Sequence, residues 1–190
     1  MAQLAKAPVS KTGDSRFESW LPRSTRRSSI HFILGRSGPR SQQEENGDEN
    51  QTLVFGANTY RLMQRFAPAE DDPSHSPLNE ARKIAISRTL EGPLSWKNST
   101  LIAEDALDAV PRLKEESPVP LRSHGSIAMN RALLRAGLVD RLELMVFPVV
   151  TGDSGADPVF AGLPDIDLEL VDSRVYDGRM QQLVYVPTLR

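Results

Sequence analysis

From residue 51 onward, short apolar runs alternate with helical stretches, and twice a run stops at a glycine just ahead of a helix start. This alternation constrains the fold more than any other feature. A strand, a crossover helix and a second strand build a sheet that is largely parallel and covered by helices. The runs are Thr52-Leu53-Val54-Phe55 closed by Gly56, Lys83 to Ser87 around Ile84 and Ile86, Thr100-Leu101-Ile102-Ala103, and Val119 to Arg122. In a fifth, Arg141 to Val149, Leu142, Leu144 and Val146 alternate with Arg141, Glu143 and Met145. Helical spacing covers Thr59 to Phe66 through Tyr60, Met63 and Phe66. A second helix runs from a cap at Asp105 toward Glu116. Pro111 fits badly in its interior, so a start near Asp108 is the alternative. Ser126 to Ala136 is the strongest helix, with a broad apolar face and Gly137 at the position past its end. Leu168 to Tyr176 and Arg179 to Val186 flank Asp177-Gly178, a type I′ hairpin signal. The expected order from residue 51 is β-α-β-β-α-β-α-β-β-β, a mostly parallel sheet with antiparallel strands at one edge.

Length and composition narrow the function. The 190 residues suffice for one domain with a real core, and 39% hydrophobic content argues against wholesale disorder. With no cysteine, the chain has no disulfide, thiolate-bound zinc, iron–sulfur cluster or thiol nucleophile. A net charge of −2 argues against a dedicated nucleic-acid binder, and no apolar run is long enough to span a membrane. The charge is uneven: residues 1–40 carry +6 and the remainder therefore −8. The basic stretch is rich in Ser and Pro, and its one strand-like run is Ile30 to Leu34. It reads as a flexible tail or as an organelle transit peptide, and a secretory signal is disfavoured for want of an apolar segment. Residues 1–50 are thus set apart as an atypical basic and polar segment expected to be poorly ordered, and 51–190 as the domain. Cytoplasmic residence is the default.

In such sheets, ligands sit beyond the carboxyl ends of strands. Two turns there have suitable chemistry: Phe55-Gly56-Ala57-Asn58-Thr59 and Arg122-Ser123-His124-Gly125-Ser126-Ile127. Glycine permits close backbone approach, and the free amides of a helix start favour phosphate. The competing reading is that Gly56 and Gly125 only make tight turns while Thr59 and Ser126 only cap helices. Arg88 is a candidate phosphate partner or a solvated surface arginine. His124 either touches a ligand or is satisfied by a backbone bond. Neither the P-loop motif nor the dinucleotide glycine fingerprint is present. The three histidines lack metal-ligand spacing, so no metal site is expected. The loop Thr151 to Asp157 is a Gly/Asp loop that could line a substrate pocket.

Residues about 52–190 resemble the reductase-like domain shared by dihydrofolate reductase and the C-terminal half of the bifunctional riboflavin-biosynthesis deaminase–reductase. The resemblance rests on Phe55-Gly56-Ala57-Asn58-Thr59-Tyr60, on Ile86-Ser87-Arg88-Thr89-Leu90, and on His124-Gly125-Ser126 running through Asn130-Arg131-Ala132-Leu133-Leu134 to Gly137-Leu138-Val139-Asp140. It implies a three-layer α/β/α sandwich that binds NADPH across the carboxyl edge of the sheet. Gly56, Thr59, His124, Gly125 and Ser126 would then line the cofactor site, with Thr59, Gly125 and Ser126 at the pyrophosphate. Ser87 and Arg88 would flank the adenosine end, Arg88 favouring a 2′-phosphate. Hydride would pass to a small heteroaromatic molecule, pterin-like or pyrimidine-derived. A homodimer is also implied.

The departures are specific. The family's first strand ends in a Leu-Asp-Gly-like turn, which residues 1–50 lack, so no catalytic residue is carried over. Ala57 stands where a basic residue is common, and Ser123 where the riboflavin enzyme has an acid. Residues 1–50 are therefore read as other than the family's native start, through a divergent or misread 5′ end. The alternatives are a non-catalytic nucleotide-binding relative, or an αβ scaffold used for interaction.

Overall fold

The computed structural model describes residues 29–34, 51–66, 77–148 and 159–190; of the first segment, only the side chains of Phe32 and Leu34 are described. One eight-stranded sheet organises them. Its strands are β1 (Ser29–Leu34), β2 (Thr52–Gly56), β3 (Arg82–Ile86), β4 (Ser99–Ile102), β5 (Leu121–Ser123), β6 (Arg141–Val146), β7 (Ile166–Tyr176) and β8 (Met180–Leu189). The helices are α1 (Ala57–Phe66), the single turn α2 (Pro77–Glu80), α3 (Ala106–Glu116) and α4 (Ile127–Arg135). The strand order is β4-β3-β2-β5-β1-β6-β8-β7. Strands β4, β3, β2 and β5 are mutually parallel, whereas β1, β6, β8 and β7 each pair antiparallel with their neighbours. The sheet is therefore mixed, as the alternation implied, and its antiparallel half extends beyond the terminal hairpin.

Alternation along β2 and β3 sorts the core into two layers. Val54, Ile84 and Ile86 point to one face, where they meet Ala109, Val110 and Leu113 of α3 and Met129, Leu133 and Leu134 of α4. Leu53, Phe55 and Ala85 point to the other, where they meet Tyr60 of α1 and Trp96. Helices thus cover both faces and the sandwich has three layers. All five residues of β2 are buried, the mark of a central parallel strand.

Local chemistry sets the element ends. Asp105 caps α3 by accepting from the Leu107 amide at 3.0 Å, so the helix starts at Ala106 and carries Pro111 inside. The bond that Pro111 cannot make would have gone to Leu107, which is exposed, while Ala109, Val110 and Leu113 hold the helix to the sheet. Ser126 caps α4, and Gly137, at φ +65°, ends it with amide bonds from Gly137 to Leu134 and from Leu138 to Leu133. Asp177 and Gly178 both have positive φ, as a type I′ turn requires.

Two buried charges lie outside any simple pattern. Lys83 is fully buried; its ammonium donates to the carbonyls of Leu78 (2.6 Å), Ala81 (2.6 Å) and Asn79 (3.1 Å) and sits 4.7 Å from the Trp96 ring centre. It ties the single turn α2 to the sheet. Burial pushes its pKa down to about 8, against the opposing pull of Glu80. Arg122 on β5 reaches across β1 to Glu143 on β6 at 2.6 Å, both side chains nearly inaccessible, and Gln182 also donates to Glu143. This pair fastens the parallel half of the sheet to the antiparallel half.

Strand β1 comes from the segment that the sequence sets apart. It lies between β5 and β6 and runs antiparallel to both. Leu34 is level with Leu121, which is level with Thr52. The link from β1 to β2 therefore starts and ends at the amino edge of the parallel strands.

Candidate functional site

Strands β2 and β5 are parallel neighbours, and the chain leaves their carboxyl ends toward opposite faces of the sheet. Gly56 leads into α1 on one face, and His124-Gly125-Ser126 leads into α4 on the other. Divergence of two adjacent connections opens a crevice at the strand ends, where ligands of open α/β sheets bind. The first-turn amides of both helices, which have no helical acceptor, face this edge.

The two turns touch. The Gly56 amide donates to the Gly125 carbonyl at 2.8 Å, and the His124 amide to the Val54 carbonyl at 3.2 Å. A methyl group on Gly56 would sit 2.8 Å from Ser126 Oγ and 3.2 Å from its backbone nitrogen. One on Gly125 would sit 3.1 Å from Thr59 Oγ1. Gly125 also has φ +115°, a region that L residues rarely adopt, and the Gly125–Ser126 peptide is cis. Both glycines are thus required by close approach, and they bring Thr59 and Ser126 into one cluster. The Ser126 hydroxyl accepts from the Met129 amide at 3.4 Å, so its capping role is present as well.

The turn after β5 has a buried support that the sequence reading missed. Ser123 donates to Asn130 Oδ1 at 2.6 Å and accepts from the Gly125 amide at 3.3 Å. A polar residue at the last position of a buried strand, seven residues ahead of a polar residue on a helix, was the available signal. His124 stacks on Phe55, with ring centroids 5.8 Å apart and planes 29° apart, and Phe55 in turn meets Trp96 at 5.9 Å. Desolvation, reinforced by the nearby Arg122 charge, pushes the His124 pKa down to about 3. The ring is neutral at ordinary pH and is no phosphate counter-charge.

Ser87 and Arg88 follow β3 at the same edge, since Ile86 is level with Gly56. The Ser87 hydroxyl accepts from the amides of Thr89 (3.0 Å) and Leu90 (3.1 Å), so it closes a turn. Arg88 is exposed and approaches Asp105, the cap of α3, at 3.5 Å. The seven predicted positions thus form a cluster of five at β2 and β5, with Ser87 and Arg88 one strand over. The loop Thr151 to Asp157 lies outside the described residues. An open polar groove of about 540 Å³ lined by Arg82, Trp96 and Ser99 lies at the amino ends of β3 and β4, the opposite edge. Among the described residues no group of His, Asp or Glu could hold a metal ion, and no helix is long and apolar enough to cross a membrane.

Residues 23–182 match the family model described as the RibD C-terminal domain, most of the chain and every described element as far as the start of β8. The chain belongs to the RibD C-terminal domain family. Relatives agree in fold. A putative riboflavin biosynthesis protein from Shewanella sp. PV-4 superposes with a TM-score of 0.57 at 20% identity, over 80% of this chain and 81% of that one. The Thermotoga maritima diaminohydroxyphosphoribosylaminopyrimidine deaminase/5-amino-6-(5-phosphoribosylamino)uracil reductase gives 0.50 at 16%, over 80% of this chain and half of the longer enzyme. At the level of sequence, the uncharacterized protein YyaP of Bacillus subtilis is 24% identical over 140 residues, 70% of this chain and 72% of its own. The fold of this RibD C-terminal domain is dihydrofolate-reductase-like. The family match begins upstream of β1, so it includes a strand from the atypical segment.

Proposed function

We propose that this chain is an NADPH-dependent reductase that delivers hydride to a small heteroaromatic substrate, pterin-like or pyrimidine-derived. The observation that carries the reading is the mutual contact of the two glycine turns at the switch between β2 and β5. There, two helix starts and the Ser126 and Thr59 hydroxyls converge where a Cβ on either glycine would intrude. Such a cradle of amides and hydroxyls suits a pyrophosphate, which needs many donors at short range and little bulk. Gly56, Thr59, Gly125 and Ser126 would hold the pyrophosphate. Ser87 and Arg88 would meet the adenosine end, where the exposed guanidinium is free to swing from Asp105 to a 2′-phosphate. His124, neutral and packed on Phe55, would offer a ring surface rather than a charge. The bound cofactor supplies hydride, and the protein's contribution is orientation and exclusion of water.

One observation favours a second reading, a nucleotide-binding relative without turnover. The link between β1 and β2 begins and ends at the amino edge, so β1 does not hand the chain to the site edge. The resemblance implies a first strand that ends in a Leu-Asp-Gly-like turn on the substrate side.

Titration with NADPH and NADH, read by tryptophan fluorescence, separates the two. Trp96 contacts Phe55, which contacts His124, so its emission should respond to an occupied site. Addition of dihydrofolate or a ribosylaminopyrimidine should then consume the reduced nicotinamide absorbance. Binding without turnover on either substrate supports the second reading. Failure of both nucleotides to bind overturns both.

A further inference from the structure

Strand β5 carries a hydroxyl into a layer of the core that is otherwise apolar. Ser123 lies level with Phe32 on one side and Val54 on the other, and all three are fully buried. It shares the face of Leu121, which packs with Leu133 and Leu134 of α4. On α4, Asn130 is buried alongside those leucines and meets Ser123 at 2.6 Å. Two apolar side chains would fill this place without polar atoms to satisfy. A hydroxyl and an amide cost stability there unless both are bonded.

The bonds fix which way each group points. A serine hydroxyl has one proton to give and lone pairs to accept with. Ser123 gives its proton to Asn130 Oδ1, and a lone pair takes the Gly125 amide at 3.3 Å. By accepting the proton, Asn130 keeps the lone pairs of Ser123 turned toward Gly125. The run of bonds continues, since the Gly125 carbonyl takes the Gly56 amide at 2.8 Å. Asn130, Ser123, Gly125 and Gly56 thus form one chain of bonds, from the interior of α4 to the start of α1.

The polarity of that chain matters to an anion. Donors hold a phosphate oxygen, whereas a carbonyl oxygen facing it repels it. With its carbonyl given to Gly56 and its amide to Ser123, Gly125 turns neither group to the crevice. What remains there is the hydroxyls of Thr59 and Ser126, which lie against the two glycines, and the first-turn amides of the helices.

We propose that Asn130 is a positioning residue for the pyrophosphate cradle: it touches no ligand and acts through Ser123 to keep the Gly125 carbonyl turned away from the anion. The inference rests on the nucleotide reading of the two turns. A pair kept for stability alone could be exchanged for two apolar side chains at little cost, and that difference makes the test.

Calorimetric titration of the full chain compares wild type, Asn130→Leu, Ser123→Ala and the double variant. Each single change should weaken NADPH about tenfold, and NADH, which has the same pyrophosphate, by the same factor. The double variant should bind no worse than Ser123→Ala alone, because Asn130 reaches the ligand only through Ser123. Its urea midpoint should nevertheless recover toward wild type, since neither polar partner is left behind. Exchange of the Gly125 amide hydrogen, read by NMR without ligand, should quicken roughly tenfold in Asn130→Leu. Should that variant fail to fold, Asn130→Ala decides in the same way. With wild type binding, the proposal alone is overturned by unchanged affinity or unchanged exchange in Asn130→Leu. Single effects that add in the double variant overturn it too, as does affinity that returns together with stability. A wild type that binds neither nucleotide fails the reading of the turns, and the proposal with it.

Discussion

The parallel and antiparallel halves of the sheet use burial differently. Strand β2 is buried along its whole length between α1 and the α3/α4 layer, while the long hairpin β7–β8 is exposed or half-buried throughout. The parallel half places its glycine turns at one edge, where rigid strands hold them in contact. The described residues of the antiparallel half hold no comparable turn pair. A held pair of turns and an exposed hairpin come from the same sheet because its two halves are covered differently.

The largest effect should come from the join. Glu143→Ala would strand Arg122 in a buried position and should cost about 3–5 kcal/mol, read by urea denaturation. A cost near zero would mean that the two halves are not fastened there. Next, Leu133→Ala, fully buried on the core-facing side of α4, should cost about 2–5 kcal/mol. Leu170→Ala in dilute solution, on the hairpin, should stay within about 1 kcal/mol. Equal costs would erase the contrast between the halves. Glycines give the same contrast at a smaller scale. Gly56→Ala should destabilise by about 1–3 kcal/mol through the Ser126 contact and lower NADPH affinity at least tenfold by calorimetric titration. Gly178→Ala, at φ +65° with open space around it, should cost about 1 kcal/mol and leave NADPH affinity unchanged.

How much of this was legible in the sequence follows from the range of the forces. The order of elements from residue 51 (apart from the single turn α2), the Asp177-Gly178 turn, the Ser126 cap and Gly137 were readable because periodicity, capping and turn chemistry act within a few residues. The meeting of Gly56 with Gly125 was expected only through resemblance, since 69 positions of chain separate them and nothing local encodes β2–β5 pairing. Lys83 showed as a polar residue opening a strand, but its burial depends on the carbonyls of Leu78 and Asn79 in α2 and of Ala81 just after it, which no local pattern announced. The antiparallel sense of β1 could not be read, because an isolated apolar run carries no direction. Nor could the bulge near Val171, which changes the meaning of every later position on β7.

Acid should act on the site half. His124 has its folded pKa depressed to about 3 from an ordinary 6.5, so between these values the unfolded chain binds the proton and the native state does not. Stability contributed by burying the neutral ring is complete above about pH 6.5. It is lost as pH falls toward 3, with a slope of up to about 1.4 kcal/mol per pH unit. Lys83 follows the same sign at the other end: stability should rise as pH climbs from about 8 toward 10.5, where the native amine has already given up its proton. His124→Gln should flatten the acid limb of a urea-midpoint profile and leave the alkaline limb in place. An unchanged acid limb would remove His124 as its cause.

Arg88 gives the smallest effect on the fold and the sharpest one on the proposed ligand. Its guanidinium is 72% exposed and its 3.5 Å approach to Asp105 is an exposed ion pair, so Arg88→Ala should change stability by no more than about 0.5 kcal/mol. If the guanidinium exchanges Asp105 for a 2′-phosphate, the same variant should weaken NADPH about tenfold, because a charge-assisted contact is lost and Asp105 is left facing the phosphate. NADH, which has no 2′-phosphate, should bind as before. The ratio of the two affinities, measured on one preparation of each protein, isolates this contact from any general loosening of the edge. An equal fall for both nucleotides would place Arg88 in the architecture of the β3 turn and take it out of cofactor choice.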